Sequence, residues 1–277
     1  MYYIKKSLLK LAALLFLFST PYVYAGAYVM PISIDIEGNQ TYTTMEIIAW
    51  TEEEGILNPC YGWNKCYVGP DVQYQDGPPG MQGACNDTDS CLTNAQLYPT
   101  TADVMRAYKR KFSLPFKARF PIMPNTSKCV GLFYAPYTSP GFGNAQQYRG
   151  STCGKLPPPR QSCSIDVPAE ISYGELTASE VNNATRQVPG YVRCKLAGEI
   201  TILGMSKDRQ EKIYLDSRQQ LYSTLKIEDK KGIDGKRIFV EKGFTPKRFT
   251  LTSQLHALSQ PKAGNYEGTA IVLLSYN

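Results

Sequence analysis

Gly264-Asn-Tyr-Glu-Gly-Thr-Ala-Ile-Val-Leu-Leu-Ser-Tyr-Asn277 is the stretch of sequence that decides the fold. Its second half, residues 269–275, is apolar, rich in β-branched residues and free of proline, which predicts a mostly buried β-strand. Because the sequence ends on this strand, we expect no later strand of its own to cover the adjacent sheet edge. That edge must be closed by an earlier segment or by another polypeptide.

The N-terminus has the pattern of a secretory signal peptide. Three lysines within the first ten residues precede an apolar stretch, residues 11–18, that is too short to span a bilayer. Val23-Tyr24-Ala25 then supplies a cleavage site that ends in a small residue. We therefore expect residues 1–25 to be removed. No later apolar run reaches about 18 residues, so we expect no transmembrane helix.

The cysteines indicate an oxidising compartment. An even number follows the expected cleavage site, which predicts disulfides. Zinc ligation is less favoured, because no Cys-x-x-Cys pair occurs and the sole histidine, His256, lies far from the cysteines. We expect no metal and no cofactor. The eight cysteines are Cys60, Cys66, Cys85, Cys91, Cys129, Cys153, Cys163 and Cys194.

The composition disfavours two classes of function. The formal net charge of +6 is too small a basic excess for a nucleic-acid binder. The region before residue 156 contains no histidine for a Ser–His or Cys–His pair. Asp87 and Asp89 are close in sequence, but nothing places them across a cleft, and their loop lacks the glycine and distal glutamate of an EF-hand. We therefore expect that the protein is not an enzyme.

A triproline run marks the domain boundary. The prolines of Leu156-Pro-Pro-Pro-Arg160 lack N–H donors and favour extended backbone, which is typical of a semi-rigid spacer. We divide the chain after the signal peptide into an N-terminal domain, residues 26–156, a linker, residues 157–160, and a C-terminal domain, residues 161–277.

The C-terminal domain is predicted to be an all-β sandwich. Short alternating segments are separated by Gly- and Asp-containing turns. Cys163 and Cys194 are the only cysteines here, so we expect a disulfide between the first two strands. Closing a loop of about 30 residues would stabilise the domain by roughly 3–4 kcal/mol. The predicted strands are 163–168, 191–196, 199–203, 213–215, 221–227, 237–240 and 248–255, followed by the closing strand.

The N-terminal domain is predicted to be β-rich but less regular. Alternation over residues 28–37 places Ile32, Ile34 and Ile36 on one face. Residues 55–100 are loop-like, being rich in Gly, Pro, Asn and Asp. The pairing of the four cysteines in that segment stays open. A helix is expected at 101–110, with Thr101 as N-cap and Val104, Met105 and Tyr108 on one face. Further strands are predicted at 43–51, 112–122 and 129–137.

The closing strand resembles the C-terminus of subunits assembled by the chaperone–usher pathway. The shared features are Gly264, fourteen residues from the end, and the penultimate Tyr276. The resemblance implies an incomplete immunoglobulin-like pilin sandwich that lacks its last strand. A periplasmic chaperone fills the gap first, with basic residues that grip the carboxylate of Asn277. The outer-membrane usher and the donor strand of the adjacent pilus subunit are the further implied partners.

The position of the N-terminal domain indicates a tip subunit. In shaft subunits of this pathway the segment after the signal peptide is the donor strand, whereas here a whole domain occupies that place. Overall length, the Cys129–Cys153 spacing and the Cys153-Gly-Lys-Leu-Pro-Pro-Pro linker resemble the tip adhesins of mannose-resistant Proteus-like fimbriae, the MrpH family. The resemblance implies a Cys129–Cys153 disulfide, passage through the periplasm and a position at the fimbrial tip.

The resemblance does not extend to metal binding. The family's best-known member binds zinc through three histidines in its N-terminal domain. This sequence has no histidine there, so no metal ligands are carried over.

Aromatic and basic residues suggest where a receptor binds. Sugar rings stack on aromatic faces, and their hydroxyls need fixed polar partners. Lys117 and Arg119 share one strand face and suit an acidic sugar. We predict that Asp71, Tyr74, Lys117 and Arg119 belong to the receptor site. Further aromatic candidates are Tyr61, Trp63, Tyr67, Phe133, Tyr134, Tyr137, Phe142 and Tyr148.

Two functions remain open at this stage. The first is a tip adhesin that binds host glycans without a metal. The alternative is a structural tip cap, or a subunit that binds a protein receptor and has no sugar site.

Overall fold

The structure is a computed structural model that describes residues 26–51, 54–123, 126–243 and 245–277. The predicted signal peptide, residues 1–25, lies outside the described residues. The described chain is mostly β-strand and forms two domains, which confirms the expected fold class.

The N-terminal domain contains two antiparallel sheets. One has the strand order β1-β2-β4, and the other pairs β3 with β5, while β6 and β7 also pair with β5. The α-helix α1 packs its apolar side on the core between them. The elements are β1 (Ala27–Glu37), β2 (Gln40–Trp50), β3 (Tyr67–Tyr74), α1 (Thr101–Lys111), β4 (Phe116–Ile122), β5 (Ser127–Ala135), β6 (Gln146–Gln147) and β7 (Cys153–Lys155).

The helix forms where it was expected, with its cap one residue earlier. The Thr100 hydroxyl accepts a hydrogen bond from the Asp103 N–H, and the Asp103 carboxylate accepts one from the Thr100 N–H. This reciprocal capping box satisfies two of the backbone donors at the helix start. Val104, Met105 and Tyr108 are buried in the domain core, as predicted.

The prediction that residues 55–100 are loop-like is wrong for strand β3. The Gly69-Pro-Asp71 sequence is typical of a turn, but here it lies inside a strand whose residues are almost all buried. Gly69 is required at this point, because an added Cβ would lie 2.2 Å from the sulfur of Cys91. Tertiary packing therefore overrides the local turn preference.

The expected common face of three isoleucines is also wrong. The pairing of β1 with β2 is irregular between Pro31 and Ser33, which breaks the simple alternation. Ile34 joins the N-terminal core, Ile32 packs against the C-terminal domain, and Ile36 is 45 % exposed.

The C-terminal domain is a sandwich of two antiparallel sheets. One sheet has the order β14-β10-β16, and the other has the order β11-β12-β15-β9-β8 with β13 beside β12. Their facing side chains form a buried core that includes Val192, Ile202, Phe249 and Leu274. The strands are β8 (Cys163–Asp166), β9 (Thr185–Cys194), β10 (Gly198–Ser206), β11 (Ile213–Tyr214), β12 (Leu221–Ile227), β13 (Lys230–Lys231), β14 (Lys236–Val240), β15 (Lys247–Ala257) and β16 (Ala270–Tyr276).

All eight cysteines form disulfides. The structure contains the expected Cys163–Cys194 bridge between β8 and β9 and the expected Cys129–Cys153 bridge between β5 and β7. The pairing left open by the sequence is Cys60–Cys66 and Cys85–Cys91. Each of these two bridges closes a short loop in the N-terminal domain.

The linker lies against the N-terminal domain rather than spanning open solvent. Leu156 and Pro157 are buried. The N–H of Arg160 donates to the carbonyl of Ile34, and the N–H of Ile34 donates to the carbonyl of Gln161, at 2.9 and 3.3 Å. The start of the C-terminal domain is therefore held beside β1. Within the described ranges, no helix is long and apolar enough to cross a membrane.

Candidate functional site

The closing strand leaves one side of the C-terminal sandwich without a strand. Among the described strands, β16 pairs only with β10, and β8 is the last strand of the opposite sheet. Ile165 and Val167, at and just after β8, and Val272 on β16 are apolar side chains of this core that stay only partly buried. We call the open side between β16 and β8 the acceptor gap.

Tyr276 closes one end of the acceptor gap. Its hydroxyl accepts a hydrogen bond from the Cys163 N–H at 2.8 Å and donates one to the carbonyl of Ile32 at 2.7 Å. Burial raises the pKa of Tyr276 above its ordinary value of 10.0, so this hydroxyl remains a hydrogen-bond donor even at alkaline pH. The penultimate tyrosine therefore joins β8, β16 and the N-terminal domain at one point.

The other two residues singled out near the C-terminus are exposed. Gly264 lies in the loop before β16, and a Cβ added there would meet no atom within 4 Å. The Asn277 side chain accepts a hydrogen bond from the Thr201 hydroxyl at 2.6 Å and donates one to Glu199 at 3.2 Å. Both residues are exposed to solvent.

Asp71 and Tyr74 are buried in strand β3, each only 5 % exposed. The Asp71 carboxylate accepts the N–H of Val72 at 2.7 Å and the N–H of Met81. Burial nevertheless raises the pKa of Asp71 to about 7. Burial also raises the pKa of Tyr74, and the neighbouring Asp71 carboxylate raises it further. Neither side chain reaches the surface in this structure.

Lys117 and Arg119 lie on the exposed face of β4, as their spacing predicted. Arg119 forms an ion pair with Glu37 at 2.5 Å, and its guanidinium lies 4.0 Å from the centre of the Tyr42 ring. Lys117 lies 3.9 Å from the Glu46 carboxylate.

The four predicted site residues do not meet in one pocket. Tyr74 belongs to the same core as Ala118 and Phe120, whose side chains point to the opposite face of β4 from Lys117 and Arg119.

A more exposed aromatic group surrounds the Cys60–Cys66 disulfide. The bridged loop presents Tyr61, 54 % exposed, and Trp63, 38 % exposed. The loop is held by a hydrogen bond from the Cys66 N–H to the side-chain oxygen of Gln96 at 2.9 Å. Both aromatic side chains therefore project from a constrained backbone, which lowers the entropy lost when a ligand binds.

Tyr134 extends this group onto strand β5. Its ring centre lies 5.9 Å from that of Trp63, and its hydroxyl donates to the side-chain oxygen of Gln146 at 2.7 Å. Lys65, in the same bridged loop, lies 5.3 Å from the ring centre of Tyr67. Tyr67 pairs with Ala135, whereas Tyr134 pairs with Val68, so the Tyr67 ring lies on the opposite face of this sheet from Tyr134. We define the aromatic surface as Tyr61, Trp63, Tyr134 and Gln146. It combines stacking faces with polar groups on fixed backbone.

The sequence named the aromatic members of this surface without showing that they meet. Tyr61 and Trp63 are separated from Tyr134 by some seventy residues, and only the folded sheet brings the rings together. One sequence feature pointed to this surface: Tyr61 and Trp63 lie between Cys60 and Cys66, a spacing that is typical of a disulfide-closed loop.

Two sequence families together cover nearly all of the chain after residue 25. Residues 26–161 match the family described as "Fimbrial adhesin MrpH N-terminal domain", and residues 163–277 match "Fimbrial adhesin MrpH C-terminal domain". The chain belongs to the MrpH family of fimbrial adhesins. Membership of the MrpH family implies an extracellular location on pili, reached through the periplasm. No curated protein matches the chain in sequence.

Two solved structures resemble the chain at low TM-score. One is the CsuC–CsuE chaperone–tip adhesion subunit pre-assembly complex from archaic chaperone–usher Csu pili of Acinetobacter baumannii, with 11 % identity, a TM-score of 0.29, and coverage of 91 % of this chain and 99 % of that chain. The other is a chaperone–tip adhesin complex of CFA/I fimbriae, with 10 % identity, a TM-score of 0.26, and coverage of 94 % and 87 %.

The zinc ion implied by the MrpH family does not fit the residues present here. Every cysteine is in a disulfide, so none offers a thiolate. The sole histidine, His256, lies in the C-terminal domain, where its ring stacks on Tyr222 with centroids 4.9 Å apart. Among the described residues, no group of three or more His, Cys, Asp or Glu side chains is placed to hold a metal ion.

Proposed function

We propose that this chain is the tip adhesin of a chaperone–usher fimbria and that its aromatic surface binds host glycans without a metal. The observation that carries the glycan proposal is the contact between Trp63, on the exposed loop closed by the Cys60–Cys66 bridge, and Tyr134 on strand β5, with ring centres 5.9 Å apart. Aromatic rings stack on the apolar faces of sugars, while the Gln146 amide supplies a hydrogen-bonding group beside them.

The earlier predicted residues have separate roles in this proposal. Lys117 and Arg119 form a second polar strip on the outer face of β4, which suits the acidic group of a charged sugar once Glu46 and Glu37 are displaced. Asp71 and Tyr74 support the domain from within, as buried members of β3.

A protein receptor is the second candidate. Leu57 and Leu97 are 73 % and 64 % exposed, and both lie beside the Cys60–Cys66 loop. The loop is tied to their segments by hydrogen bonds from Tyr61 N–H to Asn58 O and from Gly62 N–H to Gln96 O. Exposed aliphatic side chains next to aromatic ones favour a protein surface over a sugar.

The assembly role rests on the acceptor gap. An incoming donor strand from the chaperone, and later from the adjacent subunit, would pair with the free edge of β16 and cover Ile165, Val167 and Val272. Strand β1 is paired along its length with β2, so this segment is not free to serve as a donor. A chain that accepts a donor strand but has none to donate belongs at the fimbrial tip. The periplasmic chaperone and the usher would deliver it there.

The two candidate receptors are separated by a glycan array. The full chain, stabilised by its chaperone or by a donor-strand peptide, is applied to the array and, in parallel, to host cells. Binding to a defined set of glycans supports the glycan proposal. Adherence to protease-sensitive cell receptors without any array signal would instead support the protein receptor.

A further inference from the structure

One face of the N-terminal domain packs on the C-terminal domain. Along β1, Ala27 and Val29 point into the N-terminal core, whereas Tyr28 and Met30 point away from it. Ile32 and, on the neighbouring strand β2, Ile48 also lie outside the N-terminal core. We call Tyr28, Met30, Ile32 and Ile48 the β1–β2 face.

Three members of the β1–β2 face complete the core of the other domain. Met30 is only 6 % exposed and belongs to the buried apolar cluster of the C-terminal sandwich, together with Cys163, Leu274 and Tyr276. Ile32 and Ile48 pack against the same cluster. These side chains come from a different domain, yet they fill space at the open side of the sandwich.

Tyr28 contacts the face of strand β16 that points away from the core of the C-terminal sandwich. It is fully buried in a cluster with Met205 and Ile271, whose side chains lie on the outer face of the β10–β16 sheet. Its hydroxyl donates to the carbonyl of Lys207 at 2.8 Å, and the Arg209 guanidinium lies 5.1 Å from the ring centre. The Arg209 guanidinium also donates to the carbonyl of Gly150 in the N-terminal domain.

These contacts make β1 pass around the free edge of β16. Tyr28 lies on the outer face of the sheet near Ile271, whereas Met30 and Ile32 lie on the inner side near Tyr276. No described strand pairs with that edge. The β1–β2 face thus covers the edge with side chains and does not satisfy its backbone groups.

We infer that the β1–β2 face is an intramolecular cap over the acceptor gap, and that an incoming donor strand displaces it. The inference rests on the proposed function, since it requires donor-strand acceptance. Interiors are close-packed, so one volume cannot hold both Met30 and the side chain of a donor strand. The donor adds backbone hydrogen bonds along the edge of β16, where the cap makes none, and these favour the exchange. The N-terminal domain is docked before the donor arrives and changes its orientation afterwards.

Methionine oxidation tests this directly, because the chain carries its own controls. The full chain is exposed to dilute hydrogen peroxide, alone and with a saturating synthetic peptide copied from the donor segment of the neighbouring fimbrial subunit. Oxidation of each methionine is followed by mass spectrometry, and peptide binding by fluorescence anisotropy. We expect bound peptide to raise the oxidation rate of Met30 about tenfold, since the side chain leaves its buried site. Met45 and Met105, buried in the N-terminal core, serve as internal controls and should stay protected.

The outcomes separate the inference from the proposed function. If peptide binds and Met30 remains as protected as Met45, the cap is not displaced and the inference is overturned. If no peptide binds to the chain, donor-strand acceptance itself fails, and the inference fails with it.

A matched pair of variants adds a kinetic test. Met30→Ser removes an apolar side chain from the cap, so peptide uptake should be about tenfold faster. Ile36 lies on the same strand, is 45 % exposed and belongs to neither buried core, so Ile36→Ser should leave the rate unchanged. Equal rates of peptide uptake in the two variants would contradict the inference that the β1–β2 face caps the acceptor gap.

Discussion

The hydroxyl of Tyr276 donates a hydrogen bond to the carbonyl of Ile32, 2.7 Å away, and so joins the last strand of one domain to the first strand of the other. The same oxygen accepts the N–H of Cys163 at 2.8 Å. Tyr276→Phe keeps the ring but removes the oxygen, leaving a buried N–H and a carbonyl without this partner. We expect a loss of about 1–3 kcal/mol in the free energy of unfolding.

Denaturant unfolding of the full chain without a donor peptide, in which the β1–β2 face is docked, measures this loss. The matched control is Tyr266→Phe, whose hydroxyl donates to Lys262 in a surface loop. That control should change stability by no more than about 0.5 kcal/mol. Equal stabilities of the Tyr276 variant and the wild type would show that the hydrogen bonds of Tyr276 are not important for folding.

Two disulfides of equal span provide a matched comparison. Cys60–Cys66 and Cys85–Cys91 each join residues six positions apart. Replacing either pair by serine should cost about 2 kcal/mol through loop-closure entropy. Only the Cys60/Cys66 variant should also lose receptor binding, because that loop carries Trp63. Binding and thermal unfolding measured on both variants check this, and retained binding without the Cys60–Cys66 bridge would contradict the assignment.

Asp71 should make the stability of the chain depend on pH. Burial raises its pKa from 3.8 to about 7, so between these values the folded state binds a proton that the unfolded state does not. The contribution of Asp71 to the free energy of unfolding is therefore largest below about pH 4, and it is lost as the pH rises through the folded-state pKa of about 7. The full effect is on the order of 4 kcal/mol.

Asp71→Asn isolates this effect, because asparagine stays neutral at every pH. Unfolding by guanidinium at pH 5 and pH 8 should show a smaller stability difference between the two pH values in the variant than in the wild type. The variant should be the more stable protein at pH 8. An identical pH dependence in the two proteins would mean that Asp71 keeps an ordinary pKa.

The C-terminal domain by itself should not fold stably. Residues 161–277 lack both a donor strand and the side chains of the β1–β2 face, so Ile165, Val272 and Leu274 would be left uncovered. We expect this fragment to aggregate and the donor-strand peptide to rescue it. Sedimentation with and without peptide is the measurement. A stable monomer without peptide would refute the incomplete sandwich.

Most C-terminal strands were predictable because their local pattern agrees with their environment, whereas β9 begins at Thr185 and not at the predicted residue 191. Residues 221–227 alternate strictly between buried and more exposed positions, so periodicity alone locates β12. Strand β3 was missed because Gly69, Pro70 and Asp71 favour a turn locally. Both faces of that strand are covered by segments distant in sequence, which no local pattern reveals.

The site was predictable only in its parts. Spacing correctly placed Lys117 and Arg119 on one face of β4, but it gave no sign that Tyr74 lies in the core on the other side. Composition identified Trp63 and Tyr134 as candidates, whereas their contact depends on how the bridged loop folds onto β5. Distances across the fold are set by tertiary packing, so sequence spacing could not supply them.

Trp63→Ala tests the account most directly. The side chain is partly exposed, so its removal should leave folding intact while it removes the stacking face next to Tyr134. The measurement is a calorimetric titration of the donor-strand-complemented chain with the strongest glycan from the array. Phe239→Ala is the control, since Phe239 is 59 % exposed on β14 of the other domain.

The account predicts that Trp63→Ala weakens glycan binding at least tenfold, a loss of about 1.4 kcal/mol, while Phe239→Ala binds like the wild type. Unchanged affinity in Trp63→Ala, with the wild type binding the same glycan, would contradict it.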